Sequence, residues 1–320
     1  MMRAILSRIG VFVLVLMGTA SAALAWGSAT HAYIETRLNN KGPLLKLNQI
    51  YGGMGTDAFN YMFEQPNEMA YLTIATHCQP LPVWRLALLP TAKAEAFGFV
   101  SHNNLWGADF YAHEPGCPAN TPPLSGYIFD KGAQLQDAVE SDPTYGPALV
   151  GLGLPTELEA EIFRDLAEFS VDILVKRRDP AIGQKVATAA LLRSPEFPLL
   201  LVLAYSRGLA ASTGLSNQEA AKMIRAEEAE FRLRTIAYGQ VLTLDDATAI
   251  QQISEQMAQL AQTLLALNGV TPVPPPEALV PLINFAIGQG VILCEPDFAA
   301  NIDLTITNVK TNLAAHGISY

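Results

Sequence analysis

Between Ser101 and His113 the chain reads Ser-His-Asn-Asn-Leu-Trp-Gly-Ala-Asp-Phe-Tyr-Ala-His, and this stretch constrains the fold more than any other. At about 100° per residue on a helix, Asp109 and His113 fall within roughly 20° of the line through His102. Trp106 shares that face. Two imidazoles and a carboxylate on one helical stripe form a geometry that metal ions use. Either histidine alone reads equally well as a hydrogen-bonded core residue. Four of the five histidines (His31, His77, His102 and His113) fall before residue 114, interleaved with Asp57 and Asp109. The fifth, His316, reads as a surface residue.

The pattern around this stretch is helical throughout, and no alternating strand pattern of useful length occurs. Helices are expected at Ser28–Asn39, Gly42–Ile50 and Glu68–His77. The turn Gly52-Gly53-Met54-Gly55 is expected to break the second, placing Asp57 at the head of an aromatic segment with Phe59, Tyr61 and Phe63. Pro80 and Pro82 interrupt the chain, and a long helix begins near Thr91, carries the histidine stripe and stops at Pro115. From Glu114 to Pro155 the chain is rich in Pro and Gly and reads as a long loop, a kind of segment that is more often functional than idle. A helix then runs from Thr156, with a capping-box spacing to Glu159, to about Arg177. Further helices are expected at 181–193, 196–213, 217–238 (capped by Ser216 with Glu219), 245–268, 277–293 and 298–314. The fold class is all-α: a metal-site helical region over 26–178, with additional helices over 179–320 packed in the same domain. Apolar residues of the C-terminal half, among them Leu199 to Leu203, Leu264 and Ile283, recur at helical spacing and read as core.

Residues 1–25 read as a secretory signal peptide. Arg3 and Arg8 precede an apolar run, Ile9 to Met17, and Ala23-Leu24-Ala25 is a small-x-small cleavage site. The run is shorter than the ~20 residues a membrane span needs, and no later stretch reads as both long and charge-free enough to replace it. Cleavage after Ala25 makes Trp26 the mature N-terminus and the product exported, periplasmic or secreted. Losing the two arginines takes the net charge from −10 to −12. So acidic a chain has no general nucleic-acid binding surface. Of the three cysteines, Cys78 and Cys117 are the favoured pair, since both flank histidine-bearing segments; the alternative is that all three are small buried apolar residues.

The opening Trp26-Gly27-Ser28-Ala29-Thr30-His31, Asp57 after its glycines, and the histidines that follow resemble the zinc-dependent phospholipase C family. That helical fold is shared with the single-strand-specific nucleases of fungi and plants. The resemblance covers Trp26 to about Asp172 and implies a cluster of two or three zinc ions. It assigns the amino and carbonyl groups of Trp26, with His31, to one ion. Asp57, His77 and His102 go to a second, Asp109 bridges the pair, and His113 begins a third site. The chain departs from the family in two places. The family's bridging Asp stands four residues after its His and the last His six further on, whereas here the offsets are seven and four. The family also closes its third site with a His followed four residues later by an acid, and no histidine remains to do so. Glu168 and Asp172 are the nearest match, with Glu161 and Asp165 on nearby faces and Arg164 where the family histidine would stand. These carboxylates read either as oxygen ligands of a harder ion or as a solvated helix face.

The resemblance implies a zinc-dependent phosphodiester hydrolase acting on a phospholipid or other phosphodiester. In that scheme Asp57 orients the attacking water, and transient contact with a membrane surface brings enzyme and lipid together. Phe59, Tyr61, Phe63, Trp106 and Tyr111 read as core or as the wall of a cleft that takes a choline-type headgroup. Two rivals stand beside this reading. One is a single-strand nuclease using the same ions; the other is an exported helical protein that binds metal without hydrolysis.

Overall fold

Two helices that touch through glycine form the spine of the molecule. The computed structural model describes residues 26–113, 117 and 126–320. Residues 1–25, read above as a signal peptide, and most of the segment 114–125 lie outside the described residues. Helix α1 (Ser28–Leu38) leads into α2 (Pro43–Gly55), and a 3-10 turn (Thr56–Phe59) carries Asp57. After α3 (Pro66–Cys78) and the short α4 (Leu81–Leu86) comes α5 (Pro90–His102). Gly52 faces the Glu95 carbonyl, Gly98 faces the Gln49 carbonyl and the Gly53 nitrogen, and Thr56 Oγ1 lies 3.4 Å from Phe99 O. These pairings show that α2 and α5 run side by side in the same sense. They also explain why the expected break at Gly52 does not occur. Each glycine costs a helix about 1 kcal/mol relative to alanine, but here the missing Cβ lets two backbones meet, and the packing holds the helix.

The helix expected to carry the whole histidine stripe is in fact two. α5 stops at His102, and α6 (Ala108–His113) begins after a turn. Asn103 accounts for the stop: its side-chain oxygen accepts the backbone N–H groups of Leu105 (2.8 Å) and Trp106 (3.1 Å). Asparagine thus offers the backbone a local partner that competes with continued helix. Gly107 closes the turn on the Asn103 carbonyl at 3.0 Å.

The stretch expected as a long loop contains α7 (Tyr127–Glu140) and α8 (Gly146–Leu152). Ile128, Leu135 and Val139 of α7 are fully buried, and this apolar stripe overrides the surrounding Pro and Gly. α9 (Thr156–Arg178) packs on α7; Thr156 makes no capping box, because Pro155 holds the cap position. α10 (Ile182–Leu192), α11 (Phe197–Thr213), α12 (Asn217–Val241), α13 (Asp246–Leu267), α14 (Pro276–Cys294) and α15 (Phe298–Ala315) complete the described chain, with no strand among these residues. The expected box of Ser216 with Glu219 is formed in both directions at the head of α12. The protein is all-α, with fifteen α-helices among the described residues.

One apolar core runs from Trp26 to Ile318, so the later helices share it with the first six. Contrary to the sequence reading, α14 is long and apolar enough to cross a membrane by length and composition. It packs here against α7, α9 and α13. Cys78 and Cys117 form a disulfide, and Cys294 is free and buried. A buried polar knot ties the spine to α12: Tyr51 donates to Glu228 at 2.7 Å, and Arg193 pairs with Glu228. Beside it Glu95 Oε1 accepts the Ser194 N–H at 2.6 Å, while Glu95 Oε2 has no hydrogen-bond partner.

Gly98→Ala is expected to cost about 3 kcal/mol, because the new methyl meets a backbone carbonyl that cannot yield; urea denaturation reads the loss. Glu95 supplies a second test. Burial holds its carboxyl well above the usual range, so the fold keeps a proton that the unfolded chain releases above pH ~4.3. Unfolding then releases a proton, and stability falls as pH rises through that value. Glu95→Gln removes the penalty. Its urea midpoint is expected to match wild type at pH 4 and exceed it at pH 8.

Candidate metal centre

The C-terminal ends of α2, α3 and α5 meet at one buried point, and each delivers a ligand type there. His77 comes from the last turn of α3, His102 ends α5, Asp57 follows α2, and Asp109 opens α6. One ligand atom from each of Asp57, His77, His102 and Asp109 lies within 4.8 Å of all the others. His102 Nε2 is 2.8 Å from Asp109 Oδ2 and 3.4 Å from Asp57 Oδ1. His77 Nε2 is 3.2 Å from Asp57 Oδ1 and 3.6 Å from Asp109 Oδ2. Ligands about 2.1 Å from a tetrahedral ion stand about 3.4 Å from one another, close to the spacing here.

The far side of each imidazole decides what these distances mean. His102 Nδ1 meets the Gly53 carbonyl at 2.7 Å, and His77 Nδ1 meets the Thr73 carbonyl at 2.9 Å. A carbonyl can only accept, so both Nδ1 atoms carry the proton. In the neutral rings the Nε2 lone pairs therefore point at two carboxylates. Four acceptors face one another, and a cation is what such a set needs. The hydrogen-bond inventory agrees: His102 Nε2 and both Asp109 oxygens are buried without a hydrogen-bond partner. Backbone carbonyls behind ligand histidines are also a common orienting device in metal sites.

A proton on His102 can play the same part as that cation. Burial raises the Asp57 and Asp109 carboxyls, but the adjacent histidines, His102 foremost, outweigh it and hold both well below the usual carboxylate range. Burial disfavours charge on His102, yet Asp109 and Asp57 raise its pKa well above the ordinary value. Any ion must displace that proton. Asn60 steadies Asp57 by donating to Oδ1 at 2.8 Å. Asp57 is 8 % exposed at its side chain against 0–1 % for the other three, so it forms the centre's edge toward solvent.

A third imidazole adjoins the four. His31 Nε2 lies 3.1 Å from Asp109 Oδ1, has no hydrogen-bond partner, and its ring stacks on His102 at 4.0 Å. Asp109 thus presents one oxygen to His77 and His102 and the other to His31. Trp26 is buried beside them: its indole N–H donates to the carbonyl of Ala108 at 3.2 Å, and its ring stacks on Tyr127 at 5.6 Å. His113 ends α6, and its side chain lies outside the described part of the structure.

Two expected ligands have other work. Asp172 accepts the N–H groups of Ala29 (3.0 Å) and Thr30 (2.8 Å), the Thr30 hydroxyl (2.7 Å) and the Tyr238 hydroxyl (2.7 Å). Gly27 at the head of α1 offers no side chain, and Asp172 of α9 caps the helix from outside, where a carboxylate also suits the helix dipole. Glu168 receives Arg164 Nη1 at 2.9 Å, and Nη2 of the same guanidinium reaches Glu161 (3.1 Å) and Asp165 (2.9 Å). Burial pushes Glu161 up to about 7, Asp165 up to about 6 and Glu168 well above its usual range, the last helped by Asp57 and Asp109. Glu168 therefore borders the centre without joining the four.

The aromatic residues divide. Phe59 is core, and Tyr61 with Phe63 is half-buried beyond Asp57. Trp106 stacks on the exposed His316 at 4.3 Å, and Tyr111 accepts from Asn312 at 2.8 Å, so both serve the docking of α15. Sequence reasoning missed Asn60, Thr73, Gly53 and the anchoring of Asp172 by Tyr238. Only the glycine-rich run before Asp57 signalled that backbone would approach closely there. Comparison of the chain with protein-family models, with curated proteins and with solved structures gives no match in any of the three.

Asp172→Ala separates a cap from a ligand. Loss of the cap is expected to lower stability by about 2 kcal/mol while metal content by plasma emission stays unchanged; Asp109→Asn is expected to abolish metal binding.

Proposed function

We propose that this chain is an exported zinc-dependent phosphodiester hydrolase of the phospholipase C type. The observation that carries the reading is the convergence of His77, His102, Asp57 and Asp109 with their outer nitrogens committed to carbonyls. A mixed imidazole and carboxylate set in a tetrahedral spacing suits zinc better than the oxygen-seeking magnesium or calcium. When bound there, such an ion lowers the pKa of water toward ~7 and neutralises phosphate oxygens.

The protein's own groups do the positioning. Gly53 and Thr73 fix the two imidazoles, Asn60 fixes Asp57, and Asp109 joins the inner pair to His31. Asp57, at the solvent edge, is placed to orient an attacking water. Trp26, freed by removal of the leader, adds its amino and carbonyl groups beside His31. The Trp26-to-His31 opening is what favours the phospholipase reading over the single-strand nuclease.

The mature protein beginning at Trp26 is expected to hold two zinc ions. It is expected to hydrolyse p-nitrophenyl phosphorylcholine and phosphatidylcholine but not denatured DNA, and Asp109→Asn is expected to lower turnover at least about a hundredfold. An alanine inserted before Trp26 should remove one zinc. Cleavage of DNA alone would transfer the site to the nuclease reading. Bound zinc with every diester left intact, together with a lower melting temperature on chelation, would make it a structural metal site.

A further inference from the structure

Because α2 and α5 run in the same sense, their N-terminal ends lie together at the pole opposite the metal centre. That pole is apolar at its tip. Leu86, Leu88 and Leu89, in and beside the link from α4 to α5, are 39 %, 88 % and 53 % exposed, and Leu44 at the head of α2 is 55 % exposed. Ala87 between them is buried and pins the link, so the leucines project from a fixed base. The two segments that build the pole are also free of acid, and Asp303 of α15 stands near Arg37 and Lys310. No Asp or Glu occurs in residues 36–56 or 69–94 of a chain that carries thirty. The same stretches supply Arg37, Lys41, Lys46, Arg85 and Lys93. Lys93 lies 3.4 Å from the centroid of the half-buried Trp84 ring and donates to the Trp84 carbonyl at 2.9 Å. Lys310 of α15 adds to the group, standing with Lys41 close enough to repel the Lys46 charge.

We propose that this pole docks on an anionic lipid bilayer, with Leu86, Leu88 and Leu89 entering the acyl boundary and Arg85 and Lys93 meeting lipid phosphates. Leucines on a projecting link, with a tryptophan and two cations around them, match the apolar-below, cationic-above order of a membrane surface. α5 is thirteen residues long, which at ~1.5 Å per residue sets His102 about 20 Å from the docked surface. Docking is therefore an anchor independent of the ions and of the diester chemistry, and it goes beyond the hydrolytic reading.

The test is co-sedimentation of the mature, zinc-loaded protein with vesicles of phosphatidylcholine, with and without phosphatidylglycerol. Binding is expected only with the anionic lipid, weakening as salt rises and unchanged by chelation. Leu88→Asp, at a site open to water, is expected to fold normally by circular dichroism and to bind about tenfold more weakly or worse. Arg85→Gln with Lys93→Gln should flatten the salt dependence. Absence of co-sedimentation, or equal binding by Leu88→Asp, overturns the proposal. So does a wild-type dimer that Leu88→Asp turns into a monomer without vesicle binding, which would assign the face to self-association. Turnover of p-nitrophenyl phosphorylcholine by Leu88→Asp should equal wild type. If neither protein turns it over while both docking results hold, the hydrolytic reading fails and the anchor stands.

Discussion

The Gly53 carbonyl can receive the Nδ1 proton of His102 because Gly52 and Gly98 let α2 and α5 lie backbone to backbone. Everything at the centre follows from that approach. It turns the His102 lone pair toward Asp109, leaves Asp57 at the tip of α2, and sets a rigid floor for the ring of His31. A methyl group at Gly98 would separate the helices and rotate the donor away from its acceptor. The small residues are thus part of the site, although none of them touches a ligand atom.

The buried charges form two zones of different character. At the centre, two carboxylates are held ionised against burial by imidazoles, His102 foremost, so the arrangement calls for positive charge, a proton or a metal ion, among them. Next to it, Glu161, Asp165 and Glu168 surround one guanidinium, and burial raises all three carboxyls above their usual range. A side chain thus serves the second zone where the resemblance leads one to look for a third ion. Asp172, expected beside that zone, belongs to the head of α1, which it caps.

The later helices matter to the site at a distance. Tyr238 of α12 steadies Asp172, α15 grips the turn around Trp106, and α7 carries the ring on which Trp26 rests. A candidate metal centre braced by these three helices is stiff, which suits ligands that must hold their spacing to a few tenths of an ångström.

The all-α class and most of the longer helices could be read from apolar periodicity, because burial of one face is written locally, but α4, α7 and α8 were not expected and α6 was merged with α5. The four central ligands, Asp57, His77, His102 and Asp109, could also be picked out, since few polar residues are so chemically committed. The stripe itself was misread as one helix. His102 and Asp109 do meet, but across a turn made by Asn103, and seven residues of spacing cannot tell those routes apart. The glycine run before Asp57 likewise read as a break, because the partner that makes it a helix, α5, lies more than forty residues away. Residue types and their order settled which atoms were available to bind an ion. Only the tertiary structure decided which carboxylates were already engaged, because partners such as Arg164 for Glu168 and α1 for Asp172 are assigned by packing between helices and leave no local pattern.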